Sequence, residues 1–364
     1  MTREIYVGLM SGTSLDGVDA VLADFGGGKP RLLASACVPF DAGLRRELLA
    51  LNTTGADEIE RTALAGNELA GKYAAAVAEV LASSSTTKAE IRAIGCHGQT
   101  VRHRPERGYT TQIGNAALLA ELTGICVVAD FRSRDVAAGG QGAPLVPAFH
   151  AKVFADAAED RVAINLGGIA NLTFLPRHGS VTGFDSGPGN CLLDLWASRH
   201  LRTTHDDRGN WAAGGQAIPD LLDRMLQDPY FAAAPPKSTG RDLFNETWLQ
   251  RCLKGDENVQ AVQATLLELT ARSLANAIAR HCPGARRLIV CGGGAKNNSL
   301  MRRLAAIATP AAIETSDRHG IDPQLVEATA FAWLAKQALN GEPGNLPAVT
   351  GARAARVLGA IYPR

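Results

Sequence analysis

The stretch Gly8-Leu-Met-Ser-Gly-Thr-Ser-Leu-Asp-Gly-Val-Asp19 decides how the rest of the chain is interpreted. Strand-like runs at 4–8 and 20–25 flank it, which predicts a β-hairpin. Its turn is rich in glycine and hydroxyl side chains. Glycine lets backbone N–H groups come close to a ligand, and successive N–H groups in a tight turn bind anions. The stretch is therefore either a phosphate-binding hairpin or an ordinary polar turn, in which the same residue types are common.

The composition limits the classes of protein to consider. The chain has 364 residues, 46% hydrophobic and 20% charged, and two domains are expected because single cores rarely exceed about 250–300 residues. A net charge of +1 gives no electrostatic footprint for nucleic acid, and no apolar run approaches the ~18 residues of a membrane helix. The seven cysteines contain no CxxC pair, and the first residues lack the apolar core of a signal peptide. A cytoplasmic protein with neither nucleic acid nor membrane as partner is expected.

The second half of the chain repeats the opening pattern. Residues 161–174 again predict strand, glycine turn and strand, with Gly167 and Gly168 at the bend. Such a duplication predicts two related lobes. A third glycine turn, at 292–294, follows a strand predicted at 286–291 and favours close approach of a flat ligand or a phosphate to the backbone.

One carboxylate, Asp185, ends the strand predicted at 181–185. The turn Ser186-Gly-Pro-Gly-Asn190 follows, and a helix is predicted from Cys191. A carboxylate in this setting can act as general base for a water or a hydroxyl. P-loop, dinucleotide-binding and protein-kinase motifs are absent from the sequence. Three glycine turns and one base therefore favour phosphoryl transfer, which depends on positioning and charge stabilisation.

Other polar stretches follow predicted strands and are candidates for substrate contact. His97 opens a turn after the strand at 91–96, and residues 130–135 follow the strand at 125–129. Ligands collect at the carboxyl edge of open α/β sheets. The alternatives are a core or loop histidine and a cluster of surface ion pairs. A basic, hydroxyl-rich stretch at 235–242 receives no role.

Three long helices are predicted in the second half, at 216–227, 259–281 and 322–335. Glu327 lies in the first two turns of the last one. It is either a ligand contact or simply a carboxylate that suits the helix dipole.

Six motifs together resemble the anhydro-N-acetylmuramic acid kinase family, within the superfamily of actin, hexokinase and heat-shock chaperone ATPases. The motifs are 8–19, 97–100, 130–135, 165–171, 184–190 and 327–328. The similarity runs over nearly the whole chain.

This resemblance implies a two-lobed α/β fold of the actin/hexokinase-like (ribonuclease H-like) type. Each lobe would be a mixed β-sheet flanked by helices, with a cleft between the lobes. We expect an N-terminal lobe at 1–134 and a C-terminal lobe at 135–364, with the end of the chain as a candidate to pack back on the first. The resemblance also suggests a homodimer.

The resemblance implies an ATP-dependent sugar kinase of cell-wall (peptidoglycan) recycling that uses Mg²⁺. Such an enzyme adds water at C1 of 1,6-anhydro-N-acetylmuramic acid, opens the anhydro bridge and places the γ-phosphate of ATP on O6. The products are N-acetylmuramic acid 6-phosphate and ADP.

The family's functional residues carry over to matching positions of this sequence. The ATP phosphate-binding segment corresponds to Gly12, Thr13, Ser14, Leu15, Asp16, Gly17, Val18 and Asp19. Gly167 and Gly168 would hold the phosphates from a second turn, and Gly292, Gly293 and Gly294 would lie by the adenosine. Asp185 corresponds to the catalytic base. The sugar site would include His97, Arg134, Asp135 and Glu327.

Two positions depart from the wider superfamily, which usually has an aspartate at the start of each phosphate turn. Here Met10 and Asn165 stand there, so two carboxylates that often organise Mg²⁺ are missing. Two alternatives stay open: a conventional sugar kinase that phosphorylates a free hydroxyl, and a regulatory protein gated by nucleotide.

Overall fold

The computed structural model describes residues 3–12, 15–241 and 243–364. The strands are β1 (Ile5–Met10), β2 (Gly17–Asp24), β3 (Arg31–Pro39), β4 (Ile91–Cys96), β5 (Gln99–Arg104), β6 (Tyr109–Ile113), β7 (Val127–Ala129), β8 (Arg161–Leu166), β9 (Ile169–Leu175), β10 (Thr182–Pro188), β11 (Arg287–Cys291), β12 (Ala312–Thr315) and β13 (Ala360–Tyr362). The first seven helices are α1 (Ala42–Ala50), α2 (Glu58–Ala82), α3 (Ala116–Thr123), α4 (Ser133–Ala137), α5 (Val146–Phe154), α6 (Cys191–Leu201) and α7 (Asn210–Ala213). The others are α8 (Pro219–Leu226), α9 (Pro229–Ala232), α10 (Glu246–Cys252), α11 (Val259–His281), α12 (Asn298–Ile307), α13 (Val326–Leu339) and α14 (Pro347–Thr350).

The chain divides into two compact units, one of residues 1–153 with 325–364 and one of residues 154–324. The division into lobes at 1–134 and 135–364, which the sequence analysis expects, stays a prediction. No helix of the described residues has the length and apolar character needed to cross a membrane.

The first unit contains a sheet of strand order β13-β7-β4-β1-β2-β3. Strands β1, β2 and β3 form an antiparallel meander, and β4 and β7 run parallel to β1. Helix α2 packs against the meander, and its buried apolar side chains join those of β1, β2 and β4 in one core. The predicted hairpin at 8–19 is confirmed as the β1–β2 turn.

Helix α13 lies directly on the strands of the first unit because two strand positions lack a side chain. A Cβ on Gly8 of β1 would lie 1.9 Å from the Ala328 carbonyl oxygen, and one on Gly95 of β4 would lie 2.0 Å from the Phe331 carbonyl oxygen. No real Cβ tolerates such contacts with backbone. These glycines therefore permit the backbone of α13 to touch the sheet.

The second unit repeats the strand order of the first. Its sheet is β10-β9-β8-β11-β12, in which β8, β9 and β10 form an antiparallel meander and β11 and β12 run parallel to β8. The predicted duplication and the ribonuclease H-like fold class are therefore confirmed in the topology. Helix α11 supplies much of the buried surface over this sheet.

Local capping explains where the helices of the second unit begin. Asn258 accepts hydrogen bonds from two N–H groups of the first turn of α11, and Asn297 does the same for one N–H of α12. Asn is among the preferred N-cap residues because its short side chain satisfies donors that have no partner within the helix. The helix predicted at 259–281 is confirmed at both ends.

Two predicted helices begin later than the sequence suggested. The helix expected at 216–227 starts at Pro219, whose fixed φ suits the first helical position. The one expected at 322–335 starts at Val326, because residues 323–325 form a 3₁₀ turn. The hairpin of β5 and β6 was not predicted at all, since Gln99–Arg104 is largely polar.

Candidate active site

The first glycine-containing hairpin, at 8–19, is hydrogen-bonded to the turn that begins at His97. Ser11 Oγ lies 2.9 Å from the Tyr73 hydroxyl and donates to the Gly98 carbonyl at 3.0 Å. The His97 N–H donates to the Leu9 carbonyl at 3.1 Å. The hairpin turn at Gly12 and the turn at His97 are 85 positions apart in the sequence. These hydrogen bonds bring them together at the carboxyl ends of β1 and β4.

The predicted phosphate segment is partly turn and partly strand. Thr13 and Ser14 lie outside the described residues. Leu15 has a left-handed φ of 57° and is buried, and its N–H donates to the Gly12 carbonyl at 3.2 Å. Asp16 is exposed. Gly17, Val18 and Asp19 belong to β2, so their contribution to any ligand site would come from the start of that strand.

His97 is held as a neutral acceptor. Arg132 donates to its Nε2 from Nε at 3.1 Å and from Nη2 at 3.0 Å, so the ring proton lies on Nδ1. Burial and the neighbouring Arg132 charge lower the pKa of His97 to about 3. The ring also lies 4.7 Å from that of Phe331. At neutral pH His97 can therefore orient a neighbour but cannot supply a proton as an imidazolium.

Sequence reasoning selected Arg134 in this segment and passed over Arg132. Arg132 also connects His97 to the glycine-rich loop at 139–144, since its Nη1 donates to the Gly142 carbonyl at 2.8 Å. Arg134 is exposed and lines a groove of about 740 Å³ together with Arg356 and other residues of the first unit. The sequence signal was the pair of arginines, and only the fold shows that Arg132 is the one that contacts His97.

Asp135 is fully buried and its carboxylate has three hydrogen-bond donors. Oδ2 accepts from the Gly142 N–H at 2.8 Å, and Oδ1 accepts from Asn345 Nδ2 at 2.6 Å and Thr350 Oγ1 at 2.8 Å. It thereby ties the loop at 139–144 to the C-terminal segment. Its predicted contact with a substrate stays a prediction beside this structural role.

Glu327 lies in the first turn of α13 and is half-buried. Residues four apart share a face of a helix, so Glu327 is on the face that carries Phe331, the neighbour of His97. His97 is thus hydrogen-bonded to Arg132, and Glu327 lies one helical turn before the Phe331 that contacts His97.

The second unit carries Asp185 in a row of side chains across its sheet. In the strand register Asp185 is opposite Asn171, Asn171 is opposite Asn165, and Asn165 is opposite Cys291. Directly opposed residues share a face of a sheet. The Cys291 Sγ to Asn165 Oδ1 distance of 3.9 Å agrees with this arrangement.

Asp185 does not end its strand as predicted, because β10 continues to Pro188. The register shifts between Asp185 and Gly187, which leaves Ser186 as an extra residue whose hydroxyl donates to the Ala170 carbonyl at 3.0 Å. Such bulges re-aim side chains and occur often beside active sites. Asp185 therefore lies inside β10, directly before the bulge.

The backbone around Asp185 is bonded to the stretch that the sequence left without a role. Thr239 N–H donates to Asp185 Oδ2 at 2.9 Å, and Asp185 N–H donates to the Lys237 carbonyl at 3.2 Å. The Tyr230 hydroxyl donates to the Asp185 carbonyl at 2.6 Å. These partners are 45 and more positions away, and sequence reasoning missed them.

The second hairpin, at Gly167 and Gly168, is joined to the start of α6. The Asn190 N–H donates to the Gly167 carbonyl at 2.9 Å, and the Gly189 and Cys191 N–H groups donate to the Gly168 carbonyl at 3.0 Å. The turn after Asp185 is thus fixed against the hairpin.

The glycines at 292–294 have three different environments. A Cβ on Gly292 would lie 2.4 Å from Asn165 Oδ1, and one on Gly294 would lie 2.6 Å from the Leu166 Cβ. Gly293 is exposed, and a Cβ there would meet nothing within 4 Å. The turn therefore packs tightly against β8 on one side and leaves open space at Gly293.

No group of three or more His, Cys, Asp or Glu side chains that could hold a metal occurs in the part of the chain that the structure describes. A Mg²⁺ ion at this site would need oxygen ligands from elsewhere, such as phosphates and water. The described residues do not form a protein cage for it.

Comparison with known proteins identifies the family. The family model described as Anhydro-N-acetylmuramic acid kinase matches residues 4–364. The chain is 54% identical to the anhydro-N-acetylmuramic acid kinase of Nitrosomonas europaea over 360 residues, 98% of this chain and 99% of that one. It is 55% identical to the enzyme of the same name from Variovorax paradoxus, over 100% of both chains, and 56% identical to that of Thiobacillus denitrificans, over 99% and 97%.

Solved structures give more distant similarities. A xylulose kinase from Lactobacillus acidophilus is 12% identical, with a TM-score of 0.47, over 93% of this chain and 90% of that one. A similarity of this size assigns no residue of the site, whose interpretation depends on the family and on the chain's own geometry.

Proposed function

Since this chain belongs to the anhydro-N-acetylmuramic acid kinase family, it is a kinase of a small sugar, and we propose that Asp185 is its general base. The proposal depends above all on one observation: a buried carboxylate beside a strand bulge, with one oxygen fixed by the Thr239 N–H at 2.9 Å. A base held in one orientation loses little entropy when it accepts a proton from a bound reactant.

The proposed reaction uses water and ATP together. Asp185 takes a proton from a water molecule, the water oxygen bonds to C1 of 1,6-anhydro-N-acetylmuramic acid, and the C1–O6 bond breaks. O6 then bonds to the γ-phosphorus of ATP as ADP leaves. The products are N-acetylmuramic acid 6-phosphate and ADP, and the role of the enzyme in peptidoglycan recycling belongs to the same proposal.

The nucleotide would be bound by the three glycine turns. The hairpin Gly12–Asp19 and the Gly167–Gly168 turn would hold the phosphates through backbone and hydroxyl donors. The open space at Gly293 supports an adenosine beside the turn at 292–294. Mg²⁺, when bound with the phosphates, would neutralise their charge.

The sugar would contact His97, Arg134, Asp135 and Glu327. Support comes from the neighbouring positions of His97 and the face of α13 that carries Glu327. An arginine of the segment 130–135 would read the lactyl carboxylate, because a guanidinium fork matches a carboxylate. A homodimer in the cytoplasm completes the proposal.

The substitution Asp185→Asn tests the base. An asparagine keeps an oxygen that can accept from the Thr239 N–H, so the fold should survive while proton abstraction is lost. General-base catalysis is worth about 10²–10⁴-fold, and we expect kcat with the anhydro sugar and ATP to fall by that amount. Asp256→Asn, at an exposed loop residue, is the matched control and should leave kcat unchanged. Turnover of Asp185→Asn within tenfold of the natural enzyme contradicts the assignment.

Oxygen-18 water separates the proposed reaction from a conventional sugar kinase. Label at C1 of the phosphorylated product is expected if water opens the bridge. A product without label would mean that the enzyme phosphorylates an existing hydroxyl and that Asp185 deprotonates the sugar instead.

A further inference from the structure

The segment Pro235–Arg241, called here the Lys237 loop, runs beside the bulged part of β10. The Asp185 N–H donates to the Lys237 carbonyl at 3.2 Å, and the Thr239 N–H donates to Asp185 Oδ2 at 2.9 Å. The loop therefore contacts both the backbone and the carboxylate of Asp185. Neither the sequence motifs nor the proposed reaction gives this loop a task.

The side chain of Lys237 is folded back onto an aromatic cluster. Its Nζ donates to the Tyr230 carbonyl at 2.9 Å and lies 4.5 Å from the centre of the Tyr230 ring and 5.9 Å from that of Phe184. A cation over an aromatic face is attracted by the ring quadrupole. The Tyr230 hydroxyl in turn donates to the Asp185 carbonyl at 2.6 Å, so Tyr230 connects Lys237 to the main chain of Asp185.

The charges around Lys237 couple it to Asp185. Burial and the charge of Arg280 lower the pKa of Lys237, while Asp185 raises it. Such coupling is mutual, so the ammonium of Lys237 favours the ionised carboxylate of Asp185. Lys237 also contributes to the lowered pKa of His281, after burial and Arg280, and the pKa of Tyr230 is raised by burial and by Asp185.

We propose that Lys237 is a positioning residue, which holds Asp185 through the Lys237 loop and Tyr230 in the orientation that proton abstraction requires. This inference rests on the proposed function, because it requires that Asp185 be the base. Lys237 itself touches no reacting atom in this scheme. Its effect is exerted through the orientation and the charge state of Asp185.

The substitution Lys237→Met provides the test, because methionine keeps an unbranched apolar stem against the rings and removes the ammonium. We expect kcat at neutral pH to fall by about tenfold or more, with the KM for the sugar within twofold. The acid limb of the kcat profile should move to higher pH, since removal of a nearby positive charge makes the ionised form of a carboxylate less favourable. Lys237→Arg should restore most of kcat and return the limb towards its original position.

Two further variants complete the design. Lys254→Met, at an exposed lysine, is the matched control and should behave as the natural enzyme. Tyr230→Phe removes only the hydroxyl that donates to the Asp185 carbonyl, and we expect kcat to fall several-fold without a change in the KM for the sugar. If Lys237→Met does not fold, Tyr230→Phe still tests whether the contact between Tyr230 and the Asp185 main chain is needed for kcat.

The outcomes distinguish this inference from the proposed function. If Asp185→Asn is inactive while Lys237→Met and Tyr230→Phe keep the natural kcat and pH profile, the role of Lys237 is refuted and the base assignment stands. If Asp185→Asn is active, the base assignment itself is wrong. A fall of kcat in Lys237→Met that Lys237→Arg does not restore, with an unmoved acid limb, shows a packing role and also overturns the inference.

Discussion

The turn at Gly292–Gly294 allows steric and ligand effects to be separated with two single-methyl substitutions. Gly292 has φ 82° and ψ 170°, a region of backbone space that is essentially restricted to glycine. Its neighbour Gly293 is exposed and has no atom within 4 Å of a built Cβ. Gly292→Ala and Gly293→Ala therefore add the same methyl group in opposite environments.

The structure predicts how much each methyl costs. At Gly292 the backbone strain is about 1–3 kcal/mol. The new Cβ would lie 2.4 Å from Asn165 Oδ1 and 2.8 Å from the Leu166 carbonyl group, and such overpacking adds about 1–3 kcal/mol. The sum, about 4 kcal/mol, lowers the melting temperature of a unit of this size by about 10 °C. Gly293→Ala should change stability by no more than about 0.5 kcal/mol.

Activity measurements on the same pair test the adenosine site. If adenosine lies beside Gly293, the methyl of Gly293→Ala overpacks the complex by about 1–3 kcal/mol, and the KM for ATP should rise about tenfold. The KM for the sugar should not change. The assays are thermal unfolding by circular dichroism and steady-state kinetics with ADP release as the readout.

Each half of the prediction has its own refuting result. A melting temperature of Gly292→Ala within 2 °C of the natural protein, a margin of roughly 1 kcal/mol, would show that the turn relaxes easily and that the steric argument is wrong. An unchanged KM for ATP in Gly293→Ala would exclude adenosine from the open space at this turn. The two results are independent, because one concerns folding and the other concerns ligand binding.

Two further predictions concern the first unit. The pKa of buried His97 is lowered from 6.5 to about 3, so between these pH values the unfolded chain binds more protons than the folded one and the free energy of unfolding falls as the pH falls. Between pH 7 and pH 5 the free energy of unfolding of His97→Gln should therefore fall by about 2 kcal/mol less than that of the natural protein. Urea unfolding at both pH values measures the two losses, and equal losses would contradict a buried neutral histidine. The Asp135 carboxylate accepts three hydrogen bonds, and in Asp135→Asn an NH₂ group that can only donate takes the place of one of its oxygens. The free energy of unfolding, measured with urea at pH 7, should therefore fall by about 3 kcal/mol. Stability equal to that of the natural protein would show that the carboxylate is not needed to hold the loop.

The parts of the fold that depend on local sequence could be predicted. Both hairpins with glycine turns, at 8–19 and 165–171, lie where the strand and turn patterns placed them. Helix 259–281 has the predicted bounds, and the Asn258 cap at its start is a feature of the local sequence. The duplication could also be recognised from these local units, whereas the fold class came from the resemblance to the family.

The support of each functional side chain could not be predicted, because it comes from distant segments. The Thr239 N–H that fixes Asp185 is 54 positions away, and the Asn345 and Thr350 donors to Asp135 are 210 and 215 positions away. Motif matching identifies which residues carry chemistry. It does not show which backbone segments hold these residues. It also does not show that a carboxylate such as Asp135 stabilises the fold through its own hydrogen bonds.

One of the two departures from the superfamily, Asn165, acquires a meaning from the strand register. Asp185 shares its row with Asn171, Asn165 and Cys291, so its neighbours in the row carry no carboxylate. A second carboxylate nearby would repel the charge of Asp185 and favour its protonated form. Neutral neighbours in this row therefore support the proposal that Asp185 acts as the base. The asparagine at position 165 keeps a second negative charge away from it.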